Sequence, residues 1–183
     1  MAAPSPRNGD DPTATAKELV FLLRPERLSD RPAIDALHEE AFGPGRFARS
    51  AYRLREAGVH DRALSRVAVV GEDVVGSVMV TPVEVGERTA LLLGPLAVAA
   101  RASRRGIGRA LVREALSAAR AAGHGAVVLV GDEPYYGPLG FVRLPRGSVR
   151  MPGPVDPDRL LAAELRPGVV AGLAGTIRAR RPA

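Results

Sequence analysis

The sequence predicts an α/β domain built on a mixed sheet, mostly antiparallel with one parallel pair and helices against it, and three observations predict it. Three strand-like runs, Leu64 to Val70, Val74 to Val85 and Arg88 to Val98, are joined by short turns at Gly71-Glu72-Asp73 and Gly86-Glu87, the spacing of an antiparallel meander. A long amphipathic helix follows, from Gly106 to about Ala122. Beyond it, Ala126 to Val130 is wholly apolar, as a strand covered on both faces must be. Because a helix joins this strand to the one ending at Val98, the two pair in parallel through a right-handed crossover.

Taken in order, Met1 to about Lys17 is rich in proline and small polar residues, lacks the apolar core of a signal peptide, and reads as a disordered tail. Residues 18–183 read as one domain, since 183 residues at 46% hydrophobic supply one core. Glu18 to Arg24 carries Leu-Val-Phe-Leu-Leu, a buried first strand closed by Pro25. Ser29 or Asp30 caps a helix with Pro32 in its first turn and Ile34, Leu37, Ala41 and Phe42 on one face, broken by Gly43-Pro44-Gly45. A second helix carries Phe47, Ala51 and Leu54 on a stripe and ends at Gly58. Gly94-Pro95 is awkward inside a central strand, because proline has no ladder donor, and a bulge would resolve the conflict. On the long helix Ile107, Leu111, Ala115, Ala118 and Ala122 face the core, while Arg105, Arg109, Arg113 and Arg120 are solvated. Asp132 caps a short turn bearing Tyr135 and Tyr136; Phe141 to Leu144 and Leu160 to Leu165 return as strands before a small glycine-rich last segment.

Composition excludes several function classes. There are 26 Lys+Arg against 20 Asp+Glu, a formal charge of +6. Yet every basic residue except Lys17 is arginine, spread among the acids rather than gathered on one helix, and aromatics are only 4%. That argues against a nucleic-acid surface, which needs a basic patch and stacking platforms. Without cysteine there is no disulfide, thiolate nucleophile or Cys-based metal site, and His38, His60 and His124 are too scattered for zinc. His38 and His124 read as structural or solvated. No run reaches the roughly 18 apolar residues of a membrane span, so cytoplasm is the expected location.

Leu93 to Arg109 carries the chemistry. Where the chain enters the long helix, the first N–H groups have no internal partner, and the macrodipole adds about half a positive charge. Gly106 and Gly108 let an anion approach the backbone, and Arg104, Arg105 and Arg109 supply charge-assisted donors, so a pyrophosphate is the natural guest. A P-loop is excluded, since no Gly-Lys-Ser/Thr is present; a dinucleotide fingerprint is excluded, since Arg109-Ala110-Leu111 lacks the third glycine.

The stretch resembles the acetyl-CoA loop of the GNAT superfamily of N-acetyltransferases, Gln/Arg-x-x-Gly-x-Gly/Ala at a helix start. Here it reads Ser103-Arg104-Arg105-Gly106-Ile107-Gly108, departing at Ser103. Leu96-Ala97-Val98 matches the family's strand end, and Tyr135-Tyr136-Gly137-Pro138-Leu139-Gly140-Phe141 matches its aromatic-Tyr-x-x-x-Gly-Phe. The resemblance spans about Leu19 to Leu144, and Gly131-Asp132-x-x-Tyr135-Tyr136 is similar to the YhbS-like predicted acetyltransferases. It implies that the backbone of Leu96, Ala97 and Val98 pairs with the pantetheine arm, lying between two splayed strands. It implies that Ser103, Arg104, Arg105, Gly106, Ile107, Gly108 and Arg109 hold the diphosphate, and that Tyr136 gives a proton to the coenzyme A thiolate. Acetyl-CoA is then co-substrate, no metal is required, and the acetyl group passes directly to a primary amine on a small molecule or peptide in a ternary complex. Tyr135 reads as packing.

The family's usual basic glutamate is absent from Leu91-Leu92-Leu93-Gly94. Asp132, Glu133 and Glu84 are the nearest acids, Asp132 reading as a helix cap and Glu84 as a solvated strand residue, and a water chain is another route for the proton. That absence leaves a non-catalytic acyl-CoA-binding relative as the alternative. Arg46, Arg49, Tyr52 and Arg53 are candidate acceptor contacts, and a homodimer is the commonest assembly to expect.

Overall fold

The computed structural model describes residues 20–43, 54 and 59–180. The tail 1–17, Phe47, Ala51, Gly58 and the candidate acceptor contacts at 46, 49, 52 and 53 lie outside them; Leu54 is helical and buried. The described strands are β1 (Leu22–Pro25), β2 (Arg66–Val70), β3 (Asp73–Val85), β4 (Arg88–Val98), β5 (Ala126–Val130), β6 (Phe141–Arg143), β7 (Val149–Arg150), β8 (Leu160–Glu164) and β9 (Gly175–Ala179). The α-helices whose bounds lie within the described residues are α1 (Arg31–Phe42), α2 (Ile107–Ala121) and the single turn α3 (Glu133–Tyr136).

The sheet runs β1-β2-β3-β4-β5-β8-β6, with β9 paired to β3 and to β7. β3 is long enough to take β2 along its first half and β9 along its last three residues, with β4 along its other edge. Among the sheet pairs of this main path, only β4 and β5 are parallel, at Leu91↔Val127 and Leu92↔Val128, as the helical crossover requires. Residues alternate faces along a strand, so Leu91, Leu93, Val127 and Leu129 enter one apolar cluster with Ile107 and Leu111 of α2, while Ala90, Leu92, Ala126 and Val128 enter a second cluster with Val83 and Ile177. Covering β5 from both sides is why it contains no polar residue.

Several expectations shift. β1 is the edge strand and leaves Leu22 exposed, since a run with one neighbour is covered only in part. On α1 the inward residues are Ile34, Leu37 and His38; Ala41 is exposed. His38 takes the inward position because its Nε2 meets the hydroxyl of Ser77 on β3 at 3.0 Å, satisfying both buried polar groups. Asp30 precedes α1 but its carboxylate turns away from the helix, accepting from the Arg27 amide at 2.7 Å and from the Arg24 guanidinium at 2.6 and 2.8 Å. The hydrogen bonds from Arg24 hold the Asp30 carboxyl below the usual range. The core stripe of α2 is wider than expected: Val112, Leu116 and Ala119 are buried beside Ile107, Leu111 and Ala115, whereas Ala122 falls past the helix end and is exposed. The glycine-rich last segment contributes a strand, β9, to the sheet, and the two-residue β7 was too short to carry a periodic signal.

Candidate active site

Beyond Leu92↔Val128 the parallel ladder stops, although β4 continues to Val98 and β5 to Val130. Gly94-Pro95 drives the divergence. Between the pairs Val78↔Leu96 and Val80↔Leu93, β4 carries one residue more than β3, the expected bulge, which accommodates a proline that has no N–H for the ladder. The freed edge of β4 opens on a cavity of about 550 Å³. Leu93, Gly94, Pro95 and Leu96 form one wall and Val130, Gly131 and Asp132 the other. Phe42 and Tyr136 close the interior, and Pro154, Val155, Asp156 and Arg159 border it from the segment before β8.

A second cavity, about 350 Å³, lies at the start of α2. Val98, Ala102, Ser103, Arg104, Gly106, Ile107, Gly108, Arg109 and Tyr135 line it. The first helical bond of α2 runs from Ala110 N to Gly106 O at 3.0 Å, which leaves the amides of Ile107, Gly108 and Arg109 without an intrahelical acceptor. Gly106 caps the helix in the left-handed conformation (φ 77°), and Arg104 is left-handed as well (φ 60°). A non-glycine residue there costs about 1–2 kcal/mol, and alternating handedness turns successive amides toward one point, the shape of an anion nest. Ser103 lines this cavity with its amide and hydroxyl both donating to the Ala100 carbonyl, at 3.2 and 2.7 Å. Unpaired amides, flanking guanidinium groups and an adjoining gap between strands fit a diphosphate joined to an extended thiol-ended arm.

Tyr136 is placed by three neighbours. Its ring meets Tyr135 edge-on at 4.8 Å and Phe141 at 5.7 Å, and it packs against Gly131. A Cβ at residue 131 would come within 2.7 Å of Tyr136 Cδ2 and closer still to Cε2, so only glycine admits the ring there. Burial pushes the Tyr136 hydroxyl up to about 12, with the charges of Tyr135 and Asp132 adding and Arg159 opposing. Asp132 corrects another expectation. The short helix α3 begins after it, but its carboxylate makes no cap; its backbone carbonyl accepts from Tyr135 and Tyr136 N–H at 3.0 and 3.1 Å, and its side chain pairs with Arg159 Nε at 3.1 Å. The carboxylate is thereby left on the wall of the larger cavity. Asp156 also borders that cavity, accepting from the Asp158 amide at 3.0 Å, whereas Glu84 is exposed on β3, away from both cavities.

The Acetyltransferase (GNAT) family model matches residues 31–141, a span that contains α1, the diverging strands, the nest and Tyr136. The chain belongs to the GNAT acetyltransferase family. It is 30% identical over 159 residues to the uncharacterized N-acetyltransferase YhbS of Escherichia coli strain K12, covering 86% of this chain and 95% of that protein. The structure of Escherichia coli YhbS in complex with CoA superposes with a TM-score of 0.76 at 29% identity, covering 94% of each chain. A GNAT acetyltransferase from Brucella melitensis in complex with acetyl-CoA matches with a TM-score of 0.57 at 30% identity, over 80% of this chain and 97% of that one. The chain is therefore an acyltransferase of the GNAT fold.

In this GNAT domain the predicted site residues divide between the two cavities. Leu96 and Tyr136 line the larger; Val98, Ser103, Arg104, Gly106, Ile107, Gly108 and Arg109 line the smaller. Ala97 lines neither, because alternation along β4 turns its side chain into the core, where it is buried opposite Ser77. Arg105 is exposed outside both linings. Sequence reasoning missed Asp156, Arg159 and the place of Tyr135 on the smaller cavity, and it quoted Gly131 as part of a motif without seeing that its missing side chain makes room for the Tyr136 ring. No described helix is long and apolar enough to cross a membrane, and no three described His, Cys, Asp or Glu side chains cluster as metal ligands.

Proposed function

We propose that this chain transfers the acetyl group of acetyl-CoA to a primary amine by direct attack in a ternary complex, with Tyr136 as proton donor to the leaving sulfur. The observation that carries the reading is the position of Tyr136, on the wall of the cavity between the diverging ends of β4 and β5. In this reading the diphosphate lies against the amides of Ile107, Gly108 and Arg109, flanked by Arg104, Arg105 and Arg109, and the pantetheine arm runs along Leu96, Ala97 and Val98 into the gap. Ser103 borders the diphosphate.

The chemistry balances as follows. A neutral amine attacks the thioester carbonyl; the C–N bond forms, the C–S bond breaks, and the departing thiolate takes the phenolic proton of Tyr136. The amine loses one proton, and an equivalent proton returns to the phenolate through solvent. With its hydroxyl raised to about 12, Tyr136 stays protonated at any physiological pH. It is a weaker acid than the thiol it forms, so it stabilises the developing sulfur charge as a hydrogen-bond donor, and transfer of its proton is drawn to completion by the return of a proton to the phenolate. Asp132 and Asp156 on the cavity border are the carboxylates at hand for the amine's proton.

The test is a thiol-release screen over small amines, amino acids and peptide N-termini, preceded by thermal shift with CoA, acetyl-CoA and ATP. Stabilisation by CoA and acetyl-CoA together with thiol release that depends on an amine supports the proposal. Tight CoA binding without transfer to any amine would instead support a cofactor-binding relative that performs no chemistry.

A further inference from the structure

We propose that Tyr135 is a cofactor-binding residue whose hydroxyl donates a hydrogen bond to the diphosphate of acetyl-CoA, so that two adjacent tyrosines serve opposite ends of one ligand. The inference rests on the acetyl-CoA reading above. Consecutive residues on the single turn α3 point in different directions, and here they reach different cavities: Tyr136 borders the strand gap, Tyr135 the nest at the start of α2. The Tyr135 hydroxyl lies over the first turn of that helix, 2.5 Å from where a Cβ on Gly108 would stand, at a point also 3.7 Å from Leu96 and Val98 side chains. It lies where β4 meets the start of α2, on the lining of the smaller cavity. The Arg109 guanidinium stands 5.7 Å over the ring, and the Tyr136 ring meets it in a T-shaped contact at 4.8 Å.

This arrangement changes the reason for the second glycine of the loop. Gly106 has open space where a side chain would go and is required for its positive φ; at Gly108 the missing side chain is replaced by the phenol. Tyr135 thus adds a phenolic donor to a lining of amides, guanidinium groups and the Ser103 hydroxyl, the last of which donates to the Ala100 carbonyl. Burial pushes its hydroxyl above the ordinary phenol value, so the donor proton is present across the physiological range.

The experiment is isothermal titration of CoA and of pantetheine, which lacks the diphosphate, into the parent protein, Tyr135→Phe, Gly108→Ala and the double variant. Tyr135→Phe keeps the ring and is expected to weaken CoA about tenfold while leaving pantetheine within about twofold. Gly108→Ala is expected to weaken CoA similarly by displacing the hydroxyl, and the double variant to be no weaker than the poorer single one. An unchanged CoA affinity in Tyr135→Phe, an equal loss for both ligands, or losses that multiply in the double variant each overturn the assignment. A parent protein that fails to bind CoA at all overturns the functional reading instead, a result that the parent titration alone reveals.

Discussion

The two cavities are built from different materials. The nest at the start of α2 is mostly backbone: amides without intrahelical acceptors, two left-handed residues and glycines within a six-residue stretch. The gap between β4 and β5 is mostly side chains brought from five separate parts of the chain, and its key residue, Tyr136, is oriented by packing alone. A site of backbone donors tolerates changes in side-chain identity, because the donors do not depend on the side chains present. A site of packed rings tolerates almost none, because each ring is positioned by the volume of its neighbours.

That contrast can be broken by mutation, and the largest effect is expected at Tyr136. Tyr136→Phe removes one oxygen from the strand gap and nothing from the nest, so kcat should fall about 100-fold or more with CoA affinity within about twofold. Paired steady-state kinetics and titration check this, and full turnover in the variant would remove Tyr136 from the chemistry. Gly131→Ala comes next. Its new Cβ collides with the Tyr136 ring, so it should cost about 2 kcal/mol in stability, read by denaturant melts, and about tenfold in kcat through a displaced hydroxyl. In the nest, Gly106→Ala meets no neighbour but must adopt φ 77°; it should cost only about 1 kcal/mol, with a few-fold loss of CoA affinity. The smallest effect is a flat line. Because the Tyr136 hydroxyl is raised to about 12, the donor form persists as pH climbs, and kcat at saturating substrates should show no alkaline fall below about pH 10. A descending limb in kcat nearer pH 8, abolished in Tyr136→Phe, would contradict that environment.

Much of the nest was legible beforehand, for the same reason that it is tolerant. Its parts are contiguous, so an apolar strand, a bulge at Gly94-Pro95 and a Gly-x-Gly helix start could be read from one stretch. The bounds of β4 and β5, and their parallel pairing, followed from the period of the side chains and the handedness of the crossover. The gap was legible only through Tyr136, by resemblance. Asp132 was misread because a helix N-cap position does not oblige the side chain to cap; a guanidinium from Arg159, distant in sequence, offered a competing partner. Tyr135 does pack against the core as expected, but its place over Gly108 could not be read, because the two are remote along the chain. His38, which the sequence left as either structural or solvated, is structural because Ser77 on β3 offers it a hydrogen bond, while Ala41 is exposed.

By itself the sequence determined the mixed sheet, the order of its central elements and the glycine-bearing start of α2, since each follows from local periodicity, turn chemistry or a contiguous stretch of chain. Tertiary structure alone decided which face of each helix is buried, which carboxylates border the cavity, and that adjacent tyrosines line separate cavities. Those outcomes depend on contacts between residues far apart in the chain, where the partner's position, rather than the residue's own propensity, sets the lower free energy.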